Sequence, residues 1–389
     1  MKAKRTFLSG LWASGTAALL ATSAMAQPTA QELMKSRLGT DQVGPIVAEA
    51  FEHAAKPVTP ELRAKALECF QNNSCETGTG GKLTVAYADG FGENVWRQVT
   101  KMEFIQQALT YPEVGAIKYT SAQGDTAKAI SDIGAYIAQK VDVIVVFADG
   151  GEALRPIIRE ATAAGIKVVL NAGTQAGETG VDYLTSASED LCQLGAAMVD
   201  AAFEGNPHAK TALSLGGTPG NPLSATLLRC SDEQAAKRGL SIVGKFDTNW
   251  TKEGAFTAVS AGLSQFGPVD AYLYDYADGF RGALRAFKSA GLPLNFVFAT
   301  RTDEQGLFCD WEALGSPDFK IYYSSAANFD SRLSLTAALM AIRGEKVPAH
   351  VDVPFAMTPV KAGMCDPSLP METSVTTLVD TETLKAMFK

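Results

Sequence analysis

Residues 82–97 read Lys-Leu-Thr-Val-Ala-Tyr-Ala-Asp-Gly-Phe-Gly-Glu-Asn-Val-Trp-Arg. Lys82 to Ala88 is a short run rich in strand-forming residues, and Gly90 and Gly92 permit a tight turn from a strand into a helix. The same figure recurs down the chain. Ala116-Tyr119, Val143-Phe147, Lys167-Leu170, Thr211-Leu215, Ile242-Phe246, Ala271-Tyr274, Phe296-Phe298 and Lys320-Tyr323 are predicted strands. Amphipathic stretches lie between them, with apolar residues at helical spacing such as Ile130, Ile133 and Ile137, or Leu154, Ile157, Ile158 and Ala161. Strand and helix alternating every 25 to 30 residues or so means βαβ units and a parallel sheet covered on both faces. The rhythm before residue 186 resembles the rhythm of 211–324, so the expected fold is α/β, with two doubly wound parallel-sheet lobes.

The chain has 389 residues, 46% hydrophobic and 20% charged, enough for two such lobes at roughly 150 residues per domain. Its formal charge of −8 argues against a nucleic-acid footprint and against attachment to anionic lipid. Lys2, Lys4 and Arg5 precede an apolar run, Phe7 to Ala21, and Ala24-Met25-Ala26 is a small-x-small site, the pattern of a secretory signal peptide cleaved after Ala26. Cleavage removes three basic residues and no acid, leaving a charge of −11. The expected address is the periplasm. Six cysteines in an exported chain suggest three disulfides among 15 pairings. Locality favours Cys69 with Cys75, Cys192 with Cys230, and Cys309 with Cys365.

Residues 27–81 stand apart as a polar, helical extension ending in the linker Gly78-Thr79-Gly80-Gly81. Three points suit a crossing between lobes. Ser186-Ala187-Ser188-Glu189 reads as a strand end and helix start with capping-box spacing. The others are Ala326-Ala327-Asn328 and Ala356-Met357-Thr358. The expected division is therefore 82–186 plus 328–356 for the N-terminal lobe and 187–327 plus 357–389 for the C-terminal lobe, joined by a three-segment hinge.

Ligands of doubly wound sheets sit at the carboxyl ends of strands, so the loops there carry the function. The first offers Phe91, Glu93, Asn94 and Trp96. Later loops offer Asp149, Asn171, Trp250, Asp275, Tyr276 and Arg301. Several chemistries fall away. Gly90-x-Gly92 lacks the third glycine of a dinucleotide fingerprint, and Gly216 to Asn221 lacks the Gly-Lys-Ser/Thr of a phosphate loop. His53, His208 and His350 are scattered, which gives no metal site and no histidine-dependent triad, and Asp275 and Asp278 have no acid placed opposite them. No cofactor is expected. What remains is acids, amides, arginine and two tryptophans, the mixture that binds hydroxyls while a ring face lies on an aromatic. A plainer reading has Trp96 and Trp250 capping their helices' apolar faces.

Together with the signal peptide, Asn94-Val95-Trp96, Asp142 to Phe147 before a Gly turn, Ala163 to Val169 and Asp278 to Ala286 resemble the ribose-binding-like, type I periplasmic sugar-binding proteins, solute receptors of ABC importers. The resemblance runs from about Lys82 to Pro359. It implies facing aromatics at Trp96 and Trp250, an arginine at Arg229, polar contacts near Asp275 and Tyr276, and a hinge contact at Asn328. Asn171-Ala172 stands where Asp-Arg is usual, which suggests a furanose or polyol. Arg301 in place of an acid suggests a ligand with a carboxylate or sulfonate. The extension is not usual in that family.

The expected function is a monomeric periplasmic receptor that closes on a small polyhydroxylated ligand and delivers it to the permease of an ABC transporter, with no bond made. A sensor component feeding a signalling receptor keeps the same fold. An exported carbohydrate-active enzyme is the third reading and lacks a nucleophile-base pair.

Overall fold

In the computed structural model, Met1 and residues 27–92, 94–324 and 327–388 are described. The cleavage site after Ala26 lies outside them. Among the described residues the chain opens with three helices, α1 (Ala30–Leu38), α2 (Pro45–Ala54) and α3 (Pro60–Asn72), and a short strand, β1 (Ser74–Glu76). A βα series follows: β2 (Leu83–Asp89), α4 (Val95–Leu109), β3 (Val114–Ser121), α5 (Thr126–Ala138), β4 (Val143–Phe147), α6 (Arg155–Ala163), β5 (Lys167–Asn171) and β6 (Thr185–Ser188). A second runs α7 (Leu191–Gly205), β7 (Thr211–Gly216), α8 (Pro222–Arg238), β8 (Ser241–Asp247), α9 (Lys252–Phe266), β9 (Ala271–Tyr274), α10 (Ala277–Ala290), β10 (Phe296–Thr300), α11 (Gln305–Leu314) and β11 (Phe319–Tyr323). The chain ends with α12 (Asp330–Ile342), β12 (His350–Asp352), β13 (Thr358–Pro359) and α13 (Thr381–Met387).

Two sheets result, ordered β1-β3-β2-β4-β5-β6-β12 and β13-β11-β10-β9-β7-β8. Only the edge pairs β1 with β3 and β13 with β11 are antiparallel. Val143-Ile-Val-Val-Phe147 shows why the rest are parallel. All five residues are buried, as a central strand covered by helices on both faces requires. The nine strands expected from the sequence are all present.

Three crossings join the lobes. β6 belongs to the first sheet while α7, which follows it, packs on α8 and on β10 of the second. β11 belongs to the second sheet while α12 packs on α4 and β5 of the first. The third crossing lies between β12 and β13. The capping-box expectation at Ser186 to Glu189 is corrected. Asp190 caps α7, accepting from Cys192 N (2.9 Å) and Gln193 N (3.0 Å), which frees Glu189 for another partner.

The extension is part of the first lobe. β1 adds a strand to its sheet, and the Cys69–Cys75 disulfide ties that strand to α3. Met34, Leu38, Ile46, Val47 and Phe51 pack with Ala187, Phe329, Val351 and Val353, so one apolar cluster touches all three crossings. Cys192–Cys230 joins α7 to α8, and Cys309–Cys365 joins α11 to the C-terminal segment.

That segment, expected with the second lobe, reaches both. β13 pairs with β11, and Gln305 N and Val375 N bond Thr373 O (2.8 Å) and Asp303 O (3.1 Å). Beyond Thr376 it docks on the first lobe. Thr377 Oγ1 and Leu378 N donate to Glu103 Oε1 at 2.6 and 2.7 Å, Arg63 Nη2 meets Asp380 Oδ1 at 2.8 Å, and α13 packs on α3. Glu103, on α4, is also ion-paired with Arg332 of α12, whose other nitrogens bond Gln107 (3.1 Å) and Gln106 (2.9 Å). Both partners are buried. Removing one charge of a buried pair strands the other, so Arg332→Met is expected to cost about 3–5 kcal/mol of stability in a urea titration. A loss below about 1 kcal/mol would show that Glu103 is held by the C-terminal segment alone.

Candidate functional site

Each sheet sets the first strand of its βα series beside the third, and the chain winds outward from between them, β2 and β4 in one lobe, β7 and β9 in the other. A crevice opens outside the carboxyl ends at such a reversal. In the first lobe it is built around Arg97. Asn94 caps α4, its Oδ1 accepting from Arg97 N (2.9 Å), and the first helical turn carries Trp96 and Arg97 inward. Arg97 is 3% exposed. Its Nη1 donates to Asp89 Oδ1 at the end of β2 (2.7 Å), and its Nη2 to Asp149 Oδ1 just past β4 (2.9 Å). Burial alone would lower its pKa, and the Asp149 and Asp89 carboxylates more than offset that, keeping the guanidinium charged. Its plane lies 3.3 Å from the centre of the Phe147 ring, and Trp96 meets the same ring edge-on, with centroids 6.0 Å apart. Gly90 permits this: a Cβ there would come within 2.6 Å of Asp149 Oδ2.

The second lobe supplies the facing wall. Asn249 and Trp250 both have positive φ, 53° and 51°, a sparsely populated conformation for residues with side chains. The turn lays the indole on Gly217, where a Cβ would fall 2.0 Å from Trp250 Cε2. Trp250 Nε1 donates to Asp275 Oδ1 (2.9 Å). Burial pushes Asp275 up to about 6, against the opposing Trp250 hydrogen bond and Arg301 charge. Arg301, past β10, pairs with Glu189 on the first crossing, and its guanidinium carbon lies 5.9 Å from the Trp96 ring. Burial lowers the Arg301 pKa and Glu189 more than offsets it. Thr302 accepts from Ala277 N (2.8 Å) and donates to Glu304 (2.6 Å). Leu223 comes from the first turn of α8.

Together Asn94, Trp96, Arg97 and Phe147 from one lobe, with Leu223, Trp250, Asp275, Tyr276, Arg301 and Thr302 from the other, line a cleft of about 370 Å³, part of it open to solvent. In a neighbouring cavity, which also touches Trp250, Phe91 and Asp149 face Thr218 to Asn221, and Asn221 Nδ2 donates across the lobes to Asp149 Oδ1 (2.9 Å).

Residues 87–309 match the family model described as a periplasmic binding protein domain, more than half of the chain. The chain belongs to the periplasmic binding protein family. The family is periplasmic, and no helix among the described residues of this binding protein is long and apolar enough to cross a membrane. No curated protein matches it by sequence. Its fold is shared with the periplasmic binding component of the arabinose ABC transporter of Shewanella sp. ANA-3, bound to L-arabinofuranose (18% identity, 70% of this chain and 91% of that one, TM-score 0.63). A Mycobacterium smegmatis protein in complex with β-D-fucofuranose has 23% identity over 71% and 91% of the two chains, TM-score 0.61. The 5-methylthioribose transporter solute-binding protein of Thermotoga lettingae has 20% identity over 71% and 85%, TM-score 0.61. The fold is thus the ribose-binding-like, type I arrangement of two α/β lobes.

Among the residues expected in the site of this binding protein, Asn94, Trp96, Trp250, Asp275, Tyr276 and Arg301 share the cleft, and Phe91 and Asp149 line the neighbouring cavity. Glu93 lies outside the described residues. Asn328 is buried at the second crossing, and neither of its amide atoms has a hydrogen-bond partner among the described residues. Two residues lie elsewhere. Asn171 is fully buried in the first lobe, donating to Tyr87 Oη (3.3 Å) and accepting from Ser334 Oγ (2.8 Å), so its amide is used internally. Arg229 sits two turns, about 10 Å, down α8 from its start. There it pairs with Glu233 at 2.6 Å on an exposed face. Arg97, Phe147, Leu223, Thr302 and Glu189 were not singled out from the sequence. For Arg97 the only available sign was its place, one residue after Trp96.

Two outcomes follow from this geometry. Gly217→Ala is expected to displace the Trp250 indole, altering its near-ultraviolet circular dichroism and weakening binding of the bound solute about tenfold or more; an unchanged indole spectrum would show that the ring tolerates the added methyl. Burial drives Glu304 up to about 8, the Thr302 hydrogen bond opposing and Asp278 and Asp303 adding to it. In the unfolded chain the same carboxyl titrates near 4.5, so the folded state holds a proton the unfolded state has released, and stability falls as pH rises from 4.5 to about 8. Glu304→Gln should therefore stabilise the protein progressively more from pH 4.5 to 8 in urea melts. A constant difference across that range would contradict the assignment.

Proposed function

We propose that this protein is a periplasmic solute receptor of an ABC transporter, exported with cleavage after Ala26, which closes its lobes on one sugar or polyol-like molecule and presents the closed form to a membrane permease. It acts as a monomer. The lobes are 82–186 plus 328–356, on which the extension 27–81 packs, and 187–327 plus 357–389, with the last helix returning to the first. The observation that carries the reading is the pairing of Trp96 and Trp250: one tryptophan from each lobe lines a single small cleft whose remaining lining mixes Asn94, Arg97, Asp275, Arg301 and Thr302. Aromatic walls take the C–H face of a ring, and the amide, acid and guanidinium groups bond its hydroxyls. The lining holds no histidine or cysteine, which supports binding over catalysis. Proteins of like fold bound to L-arabinofuranose and β-D-fucofuranose make five-membered-ring sugars the first probes.

A solute that binds only the folded protein at 100 times its Kd adds about 2.7 kcal/mol of stability. A thermal-shift screen of the mature protein against pentoses, hexoses, polyols, aldonic acids and sulfonated sugars is therefore expected to raise the melting midpoint by several degrees for one class. Trp96→Ala and Trp250→Ala variants that melt cooperatively should lose that rise. A panel with no shift at all would remove the carbohydrate reading.

A further inference from the structure

Asn221 has two duties. As the N-cap of α8, its Oδ1 accepts from Leu223 N (3.0 Å) and Ser224 N (3.4 Å). Its Nδ2 meanwhile donates to Asp149 Oδ1 of the other lobe (2.9 Å). Asparagine, aspartate and serine cap helices about equally well, so capping alone does not account for the asparagine. The bond to Asp149 does. An aspartate carboxylate has no proton to give to another carboxylate, and a serine hydroxyl ends one bond short of the position that Nδ2 occupies.

Both ends of this bond are fixed in advance. Asp149 receives Arg97 Nη2 on its two oxygens, at 2.9 and 3.1 Å. On the other side Asn221 N donates to Thr218 O (3.1 Å), and Ser224 Oγ accepts from the N–H of Gly217 (2.8 Å), the residue beneath the Trp250 indole. Groups held in this way lose little freedom when they meet. The backbones come close beside them: a Cβ on Gly151 of the first lobe would lie 3.7 Å from Pro222 Cγ of the second. Arg97 and Leu223 line the cleft, Asp149 and Asn221 line the neighbouring cavity, and Trp250 lines both, so the bond stands where the two spaces meet. Neither residue belongs to a crossing, and separation of the lobes breaks the bond.

We infer that Asn221 is a latch between the lobes, a positioning residue whose amide bond to Asp149 favours the closed form without touching the solute. Its effect on solute release rests on the receptor reading above; the latch itself does not. The six native cysteines are all in disulfides, so Lys128→Cys on α5 and Glu253→Cys on α9 can carry spin labels for a distance measurement between the lobes of the solute-free mature protein. Asn221→Ser is expected to lower the closed, short-distance population about tenfold. Asn221→Asp should lower it further by setting carboxylate against carboxylate. In urea melts both should stay close to the parent, because both still cap α8, and Asn221→Ala alone should fall below it. Release of L-arabinose or D-fucose, followed by tryptophan fluorescence after dilution, should quicken in the order asparagine, serine, aspartate. Equal distances in the parent, serine and aspartate proteins overturn the latch: with release also unchanged, Asn221 is a cap only, and with release quickened it is a solute contact. Distances that shift as expected while neither sugar binds the parent leave the latch standing and count against the receptor reading.

Discussion

The buried guanidinium of Arg97 is the interaction on which the rest of the site depends. It bridges Asp89 and Asp149, which end two hydrogen-bonded neighbouring strands at the point where the winding of the sheet reverses. A charge buried this deeply is stable only with both partners in place, so the guanidinium sets the separation of the two loops. The same plane covers the Phe147 ring, against which Trp96 stands edge-on. Asp149 in turn accepts from Asn221 of the other lobe. One ionic cluster thereby fixes the aromatic wall and offers the contact across the cleft.

A second constraint acts from behind. Helix α4 presents Trp96 and Arg97 at its first turn, and two turns further on its Glu103 holds the C-terminal segment and Arg332. Before it reaches Glu103, that segment is hydrogen-bonded to the loop at Asp303 to Gln305, next to Arg301 and Thr302 of the cleft. The lobes are thus linked by three covalent crossings and by a hydrogen-bonded strap, and the strap joins the helix that carries Trp96 and Arg97 to the loop that follows Arg301. The extension adds an apolar cluster that touches each crossing. Hinges are usually a few residues free to change their backbone angles; here they are packed from outside, which restricts the paths along which the lobes can separate.

The two-lobe fold was legible because strands buried on both faces must be continuous apolar runs, and Val143 to Phe147 is such a run. Site residues were legible where a strand end places them in the crevice, as at Trp96, Trp250, Asp275 and Arg301. Others depended on partners distant in sequence. Arg97 is meaningful only once Asp149 is brought beside it, and Glu189 once Arg301 is. Arg229 depended on the register of α8, which Asn221 sets by capping, and that register carries it down the helix. The strand Ser74-Cys75-Glu76 has no apolar alternation to announce it, and its place at the sheet edge comes from the disulfide and from pairing with β3.

The aromatic walls of the cleft are set in advance, and that bears on ligand-driven closure. The aromatic end is set by the protein's own contacts: Gly217 beneath the indole of Trp250, its N–H on Asp275, and two left-handed residues holding the turn. Such a wall loses little freedom when a ring settles on it. A ligand shifts an equilibrium only by its differential affinity for the two states. On the proposed reading that differential comes from a solute that meets Trp96 of one lobe and Trp250 of the other at once.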